Sequence, residues 1–166
     1  MGIADRAYMR GRRPVGERLS ATAWTLLILV GCFIVGLIGA AARVDFLAGL
    51  ALSEAHPRPW QPLTYVLLHA DFWHLLGNGL ILWWTGDIVE RTYGRRAYLG
   101  VLVLGALIGA ATWWATGWGG GRGEGELIGA SAAVYAIMLV ALLDKLDHQL
   151  TLLLFFFLPV TLRVLW

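Results

Sequence analysis

Gly129-Ala-Ser131-Ala-Ala-Val-Tyr135 is a stretch of small residues around one hydroxyl group, and it lies inside an uncharged run at 127–143. Seventeen uncharged residues of this apolarity are typical of a helix in a lipid bilayer. The glycine and alanines beside Ser131 allow a neighbouring helix to approach closely. The stretch therefore predicts a transmembrane helix with a serine on its packing surface.

The composition extends this prediction to the whole chain. Apolar residues make up 58% of the sequence and charged residues 14%, against roughly 45–50% and about 25% in a soluble domain. These values exclude a soluble globular domain and indicate a polytopic membrane protein whose partner is the lipid bilayer. The net charge of +2 does not indicate nucleic-acid binding, because the arginines lie at span ends, where they set membrane orientation.

Five apolar segments follow a basic head at 1–18, and they predict an all-α bundle of about five transmembrane spans. The segments are 19–42, 63–86, 97–117, 127–143 and 149–162. The fifth contains Pro159, and its fourteen residues would extend only about 21 Å as a helix, against about 30 Å of hydrocarbon. We therefore expect 19–166 to be a membrane domain that is incomplete at its C-terminus.

The distribution of Lys and Arg predicts the orientation of the spans. Nine of these residues lie on the side of the N-terminus and four on the other side. The positive-inside rule then favours a cytoplasmic N-terminus. We expect a multi-pass protein of a bacterial inner membrane, with the basic head in the cytoplasm.

A second polar set, His69, His74 and Asn78, lies in the apolar segment 63–86. Polar and ionisable side chains inside a membrane are costly and indicate a functional site. His74 and Asn78 are four residues apart and share one helix face, whereas His69 would point elsewhere or precede the helix. On the predicted topology both donors lie at the depth of Ser131. We expect them to face it as anion-stabilising donors for a serine nucleophile, with Tyr135 beneath it.

Other interpretations of these residues remain open. A serine among small residues in a membrane helix is often only a packing residue. The pair His69 and His74 could be a proton relay of a small transporter or channel. Transporters usually show internal repeats or paired broken helices, and the sequence shows neither.

The ordered combination of motifs resembles the rhomboid family of intramembrane serine proteases over 19–166. In chain order it consists of Trp60-Gln61, then His69, His74 and Asn78 spaced as His-x-x-x-x-His-x-x-x-Asn, then Glu90 and Gly94, then Gly129-Ala-Ser131 continued by Val134-Tyr135-Ala136.

The resemblance implies a role for each site residue. Ser131 would be the nucleophile, and His74 and Asn78 would form the oxyanion hole with the Ser131 backbone N–H. His69 would be a supporting residue, Gly129 would begin the Gly-x-Ser motif, and Tyr135 would pack against the general base. The implied activity is cleavage of transmembrane substrate proteins, without cofactor or metal.

The chain departs from the family pattern in two ways. Ala132 stands where the family usually has glycine. More important, the family takes its general base from a sixth helix, which the sequence does not contain. His148 would lie about 25 Å from Ser131 along a helix, too far to act as the base. We therefore predict that residues 1–166 alone are inactive, and the alternative is an inactive rhomboid-like protein that binds transmembrane clients.

Overall fold

The computed structural model describes residues 19–117 and 125–143, and the backbone of residues 150–154 and 158–162. This part of the chain is mostly helical. Its elements are α1 (Ala21–Ala42), β1 (Leu52–Ser53), α2 (Gln61–Thr64), a 3₁₀ turn (Tyr65–Leu67), α3 (Phe72–Thr116), β2 (Glu126–Leu127), α4 (Ser131–Leu143), β3 (Leu150–Leu154) and β4 (Leu158–Leu162). The predicted basic head at 1–18 and His148 lie outside the described residues.

Helix α1 agrees with the first predicted span to within two residues. It begins after Ser20, whose side chain accepts a hydrogen bond from the Ala23 N–H, and it ends where Arg43 adopts a left-handed conformation. Its 22 residues extend about 33 Å, enough to cross a bilayer. Most of its large apolar side chains are exposed in the bundle, as expected for a helix that is solvated by lipid.

A buried carboxyl group joins the start of α1 to α3. Glu90 Oε1 accepts a hydrogen bond from the Ala21 N–H (2.9 Å), and Glu90 Oε2 accepts from the Thr22 N–H (3.0 Å) and the Thr22 hydroxyl (3.1 Å). The first N–H groups of a helix have no hydrogen-bond acceptor within the helix. Glu90 provides an acceptor for two of these groups in α1. Nearby, the Tyr98 hydroxyl donates to Thr25 Oγ1 (3.1 Å). Glu90 therefore caps one helix from another.

Helix α3 consists of two helical segments joined at Gly94. The backbone there has φ 85° and ψ 166°, a conformation open to glycine but not to residues with a Cβ. The sequence predicted that the second span ends near residue 86, where charged residues begin. Instead the helix continues through Asp87 and Arg91, which form an ion pair one turn apart (2.8 Å), and breaks only at Gly94. We refer to 72–93 and 95–116 as the first and second segments of α3.

Helix α4 packs closely on the second segment of α3, and two glycines make this possible. A Cβ on Gly105 would lie 2.9 Å from the Ala133 Cα, and one on Gly109 would lie 2.4 Å from the Ala132 Cβ. Both distances are shorter than real Cβ contacts. The spacing Gly-x-x-x-Gly in the sequence is therefore a helix-packing surface.

Among the described residues, two helices, α1 and α3, are long and apolar enough to cross a membrane, while α4 is shorter with 13 residues. The predicted number of about five spans is thus not confirmed. The fifth predicted span is where the structure differs most, because β3 and β4 form an antiparallel pair in which Leu153 is opposite Pro159. A short apolar run fits a strand as well as a helix, and Pro159 interrupts a helix but is accepted in a two-stranded pair, whose strands are both edges.

Candidate active site

Ser131 is the first residue of α4, and the backbone before it is held in an unusual conformation. Gly129 has φ 109°, which is strained for any residue with a Cβ. Its N–H donates to the Tyr65 carbonyl oxygen (3.0 Å), and the helical hydrogen bonds begin with Val134 N–H to the Ala130 carbonyl (2.9 Å). The sequence predicted a helix from residue 127, but the turn at Gly129 delays its start and leaves Ser131 beside the free N–H groups of the first turn.

The segment before Ser131 is also paired with the connection between α1 and α2. Leu52 is opposite Leu127 and Ser53 is opposite Glu126 in the antiparallel pair β1–β2. Leu52 is fully buried. The sequence did not predict this pairing. It joins residues 126–130, which we call the serine loop, to the connection between α1 and α2.

The connection from residue 43 to residue 60 is ordered by its own hydrogen bonds. The buried Gln61 side-chain oxygen accepts from the N–H groups of Ser53 (3.4 Å) and Arg58 (2.9 Å), while its amide nitrogen donates to the His56 carbonyl (3.2 Å). The Trp60 indole N–H donates to the Gly49 carbonyl (3.1 Å). Gln61, part of the Trp60-Gln61 motif, thus closes the connection that carries β1.

His74 lies opposite Ser131. Asp71 Oδ1 accepts a hydrogen bond from the His74 N–H (2.9 Å) and caps the start of α3, so the helix begins at Phe72 and His74 is in its first turn. His74 Nε2 lies 3.3 Å from Ser131 Oγ, within hydrogen-bond distance. The imidazole packs on the bare Cα of Gly129, because a Cβ there would lie 2.5 Å from His74 Cε1. Gly129 therefore gives the histidine its access to the serine.

Asn78 and His69 form the second polar pair of the site. Asn78 Nδ2 lies 3.1 Å from His69 Nε2, and the rings of His69 and His74 meet edge to face at 5.0 Å. Asn78 is buried. The sequence predicted that His69 would point away from His74 or precede the helix, and it does precede α3, from where it reaches back to both residues. His69 Nδ1 is buried without a hydrogen-bond partner among the described residues.

Tyr135 is on the open side of α4. It is one turn after Ser131, and its side chain is 55% exposed. Leu139 and Leu143 continue the same exposed row at intervals of four residues. This face is available to a further helix or to lipid.

Within the described ranges, no group of three His, Cys, Asp or Glu residues is arranged to hold a metal ion. His74 lies within hydrogen-bond distance of Ser131, and the His69 ring contacts that of His74. The geometry thus provides a hydroxyl, an imidazole within hydrogen-bond distance and a buried amide that is anchored to a second imidazole. This set can bind and polarise a carbonyl group.

Comparison with known proteins agrees with the resemblance to the rhomboid family. Residues 56–166 match the family description "Rhomboid domain". The putative rhomboid protease YdcA of Bacillus subtilis is 34% identical over 65 residues, which are 39% of this chain and 33% of that protein. Rhomboid protease GluP of the same organism is 29% identical over 82 residues, 47% of this chain and 16% of the relative. The chain thus matches a third or less of the length of these two curated relatives.

Proposed function

Because the chain belongs to the rhomboid family, we propose that it is an intramembrane serine endopeptidase in which Ser131 is the nucleophile. The observation that carries the proposal is the 3.3 Å distance between Ser131 Oγ and His74 Nε2, which joins two polar groups from separate apolar segments. A membrane protein places such groups together at a cost. A packing role for the serine does not require a half-buried imidazole within hydrogen-bond distance of its hydroxyl.

The proposed first step is attack of Ser131 Oγ on the scissile carbonyl carbon. A bond forms between Oγ and that carbon, and the carbonyl oxygen becomes an oxyanion. His74 Nε2–H, one N–H of Asn78 and the backbone N–H of Ser131 would donate hydrogen bonds to it. The Asn78 amide carries two hydrogens, so it can keep its bond to His69 and still donate to the oxyanion. His69 would then be a supporting residue that orients Asn78.

The serine proton requires an acceptor, since a hydroxyl is a weak nucleophile without one. We propose that the general base approaches from the open face of α4, over Tyr135, as the resemblance to the family implies. The exposed ring of Tyr135 would stack on it or hydrogen-bond to it. His148, which the sequence placed too far away, lies outside the described residues.

The proposed substrates are transmembrane proteins, cleaved near residues that destabilise their helices. No cofactor or metal takes part in the proposed reaction. The proposed setting is a bacterial inner membrane with the N-terminus in the cytoplasm, so that the site opens towards the opposite side.

The proposal is tested by reaction with a fluorophosphonate probe, in the membrane and with the protein as its gene encodes it. We expect the probe to be attached at Ser131, with loss of fluoride, and we expect Ser131→Ala to abolish both labelling and cleavage of a transmembrane reporter protein. Ser53→Ala, which alters another serine of the described chain, is the control and should label normally. Cleavage that persists in Ser131→Ala would refute the proposal. Stable binding of transmembrane proteins without labelling or cleavage would favour the client-binding alternative.

A further inference from the structure

We propose that Tyr65 is a positioning residue that holds Ser131 in register with His74. The effect expected on activity rests on the proposed function, whereas the effect expected on the local backbone does not. Tyr65 forms the start of the 3₁₀ turn before α3 and is almost completely buried, with 1% of its surface exposed. It touches neither the proposed nucleophile nor the oxyanion donors through a hydrogen bond, so it would act through other residues.

The first contact is made by the backbone of Tyr65. Its carbonyl oxygen accepts the N–H of Gly129 (3.0 Å). Gly129 is two residues before Ser131, and its Cα is packed against the His74 imidazole. Gly129 is therefore confined between the Tyr65 carbonyl and the His74 ring, and a displacement of Tyr65 changes the relation of His74 to Ser131.

The second contact is made by the side chain of Tyr65. Its hydroxyl donates to the carbonyl oxygen of Ala106 in the second segment of α3 (2.9 Å). Gly109 provides the space for this hydroxyl, because a Cβ at that position would lie 2.6 Å from it. One of the two glycines of the packing surface thus has a second role, which is to admit the tyrosine hydroxyl. Tyr65 thereby joins the serine loop to the helix on which α4 packs.

A small movement of Tyr65 is enough to disturb the contact between His74 and Ser131. The distance of 3.3 Å between His74 Nε2 and Ser131 Oγ is already long for a hydrogen bond, and a further increase of about 0.3 Å removes it. Removal of the Tyr65 hydroxyl breaks the hydrogen bond that joins the turn to α3 and leaves only the packing of the ring in the buried cluster with Ala106 and Ala110. We infer that the Gly129 N–H then opens more often and that the serine is aligned with its donors for a smaller fraction of the time.

The test compares Tyr65→Phe with Tyr98→Phe. Both tyrosines are almost completely buried, and each hydroxyl donates one hydrogen bond to another element, but that of Tyr98 reaches Thr25 in α1. Both variants keep the aromatic ring, so their losses of stability should be similar. Tyr98→Phe is thus a matched control for the general cost of a lost buried hydroxyl.

The first measurement is hydrogen–deuterium exchange of the peptide that contains residues 128–131. We expect roughly tenfold faster exchange at Gly129 in Tyr65→Phe, the change produced by about 1.4 kcal/mol of local opening, and wild-type exchange there in Tyr98→Phe. Equal exchange in the two variants would overturn the inference. This measurement requires no activity, so it decides the role of Tyr65 even where the proposed function fails.

The second measurement is the rate of fluorophosphonate labelling of Ser131, analysed as maximal rate and half-saturating probe concentration. We expect Tyr65→Phe to lower the maximal rate about tenfold at an unchanged half-saturating concentration, because misplacement of reacting groups lowers the rate of the chemical step. Tyr98→Phe should label at the wild-type rate. Wild-type labelling in Tyr65→Phe would overturn the positioning role. Failure of the proposed function would be visible separately, as wild-type protein that does not label at Ser131.

Discussion

Substitution of Glu90 by glutamine provides a direct test of how the bundle is held together. The carboxyl group accepts hydrogen bonds from the amides of Ala21 and Thr22 at the start of α1 and from the Thr22 hydroxyl. Glutamine has the same shape, but only one of its two terminal atoms accepts. Whichever way the amide is turned, at least one buried N–H of α1 loses its acceptor.

The size of the effect follows from two contributions. A buried donor left without an acceptor costs about 1–3 kcal/mol. Loss of a negative charge at a helix N-terminus costs about 0.3–1 kcal/mol on a surface and up to about 2 kcal/mol where it is partly buried. Side-chain hydrogen bonds between membrane helices average only about 0.6 kcal/mol, which argues for the lower part of these ranges. We expect Glu90→Gln to lower the free energy of unfolding by roughly 1–3 kcal/mol.

The assay is SDS titration of the protein in mixed micelles, with helix content followed by circular dichroism. The matched control is Asp87→Asn, on the same segment of α3. Its ion pair with Arg91 is exposed, with 42% and 72% of the two side chains accessible, so its loss should cost at most about 0.5 kcal/mol. Equal unfolding midpoints for the two variants, or a higher midpoint for Glu90→Gln, would refute the reasoning that the carboxyl group stabilises the start of α1.

Three further predictions concern the site and are measured by fluorophosphonate labelling. Gly129→Ala should reduce labelling about 10²-fold or more. The added Cβ would lie 2.5 Å from His74 Cε1, so the ring would have to move away by about 1 Å, which misaligns the reacting groups. Gly77→Ala, which has open space around it, is the control and should label normally. Asn78→Ala should lower the rate about 10²-fold at unchanged helix content, the usual effect of losing an oxyanion donor; labelling as fast as in Gly77→Ala would contradict its role. Residues 1–166 alone should label very slowly, and the same residues extended by a helix that carries a histidine should label several orders of magnitude faster. Rapid labelling without the extension would contradict a general base that comes from outside these residues.

The parts of the structure that the sequence predicted are those with a local signal. The apolar run of α1 has the length and composition of a helix that can cross a membrane, and its observed bounds agree with the predicted ones to within two residues. The small residues around Ser131 predicted a close helix contact, and Ala132 and Ala133 make this contact with Gly109 and Gly105. The family resemblance, which rests on the order of these motifs, is confirmed by the match over residues 56–166. The roles of the site residues stay predictions.

The parts that the sequence did not predict depend on distant partners or on backbone geometry. The pairing of Leu52 with Leu127 joins residues far apart in the chain, and neither of them has a pattern that indicates a strand. The sequence left two positions open for His69, off the helix face of His74 or before the helix, and only the structure shows that it precedes α3 and contacts the His74 ring and Asn78. The charges near Asp87 predicted the end of the second span near residue 86, whereas the motif of Glu90 and Gly94 in the family resemblance closes that span, and the helix breaks at Gly94.

The cap on α1 also has a consequence for the order in which the protein is assembled during synthesis. The amide of Ala21 and its acceptor on Glu90 are 69 positions apart. A ribosome that adds about 5–20 residues per second needs roughly 3–14 s to supply the acceptor. Until then the N–H groups of Ala21 and Thr22 must donate to water or lipid headgroups, since hydrocarbon provides no acceptor. The start of the first membrane helix is therefore expected to wait at the membrane surface and to reach its final depth only when the third of the helices, α3, has been made.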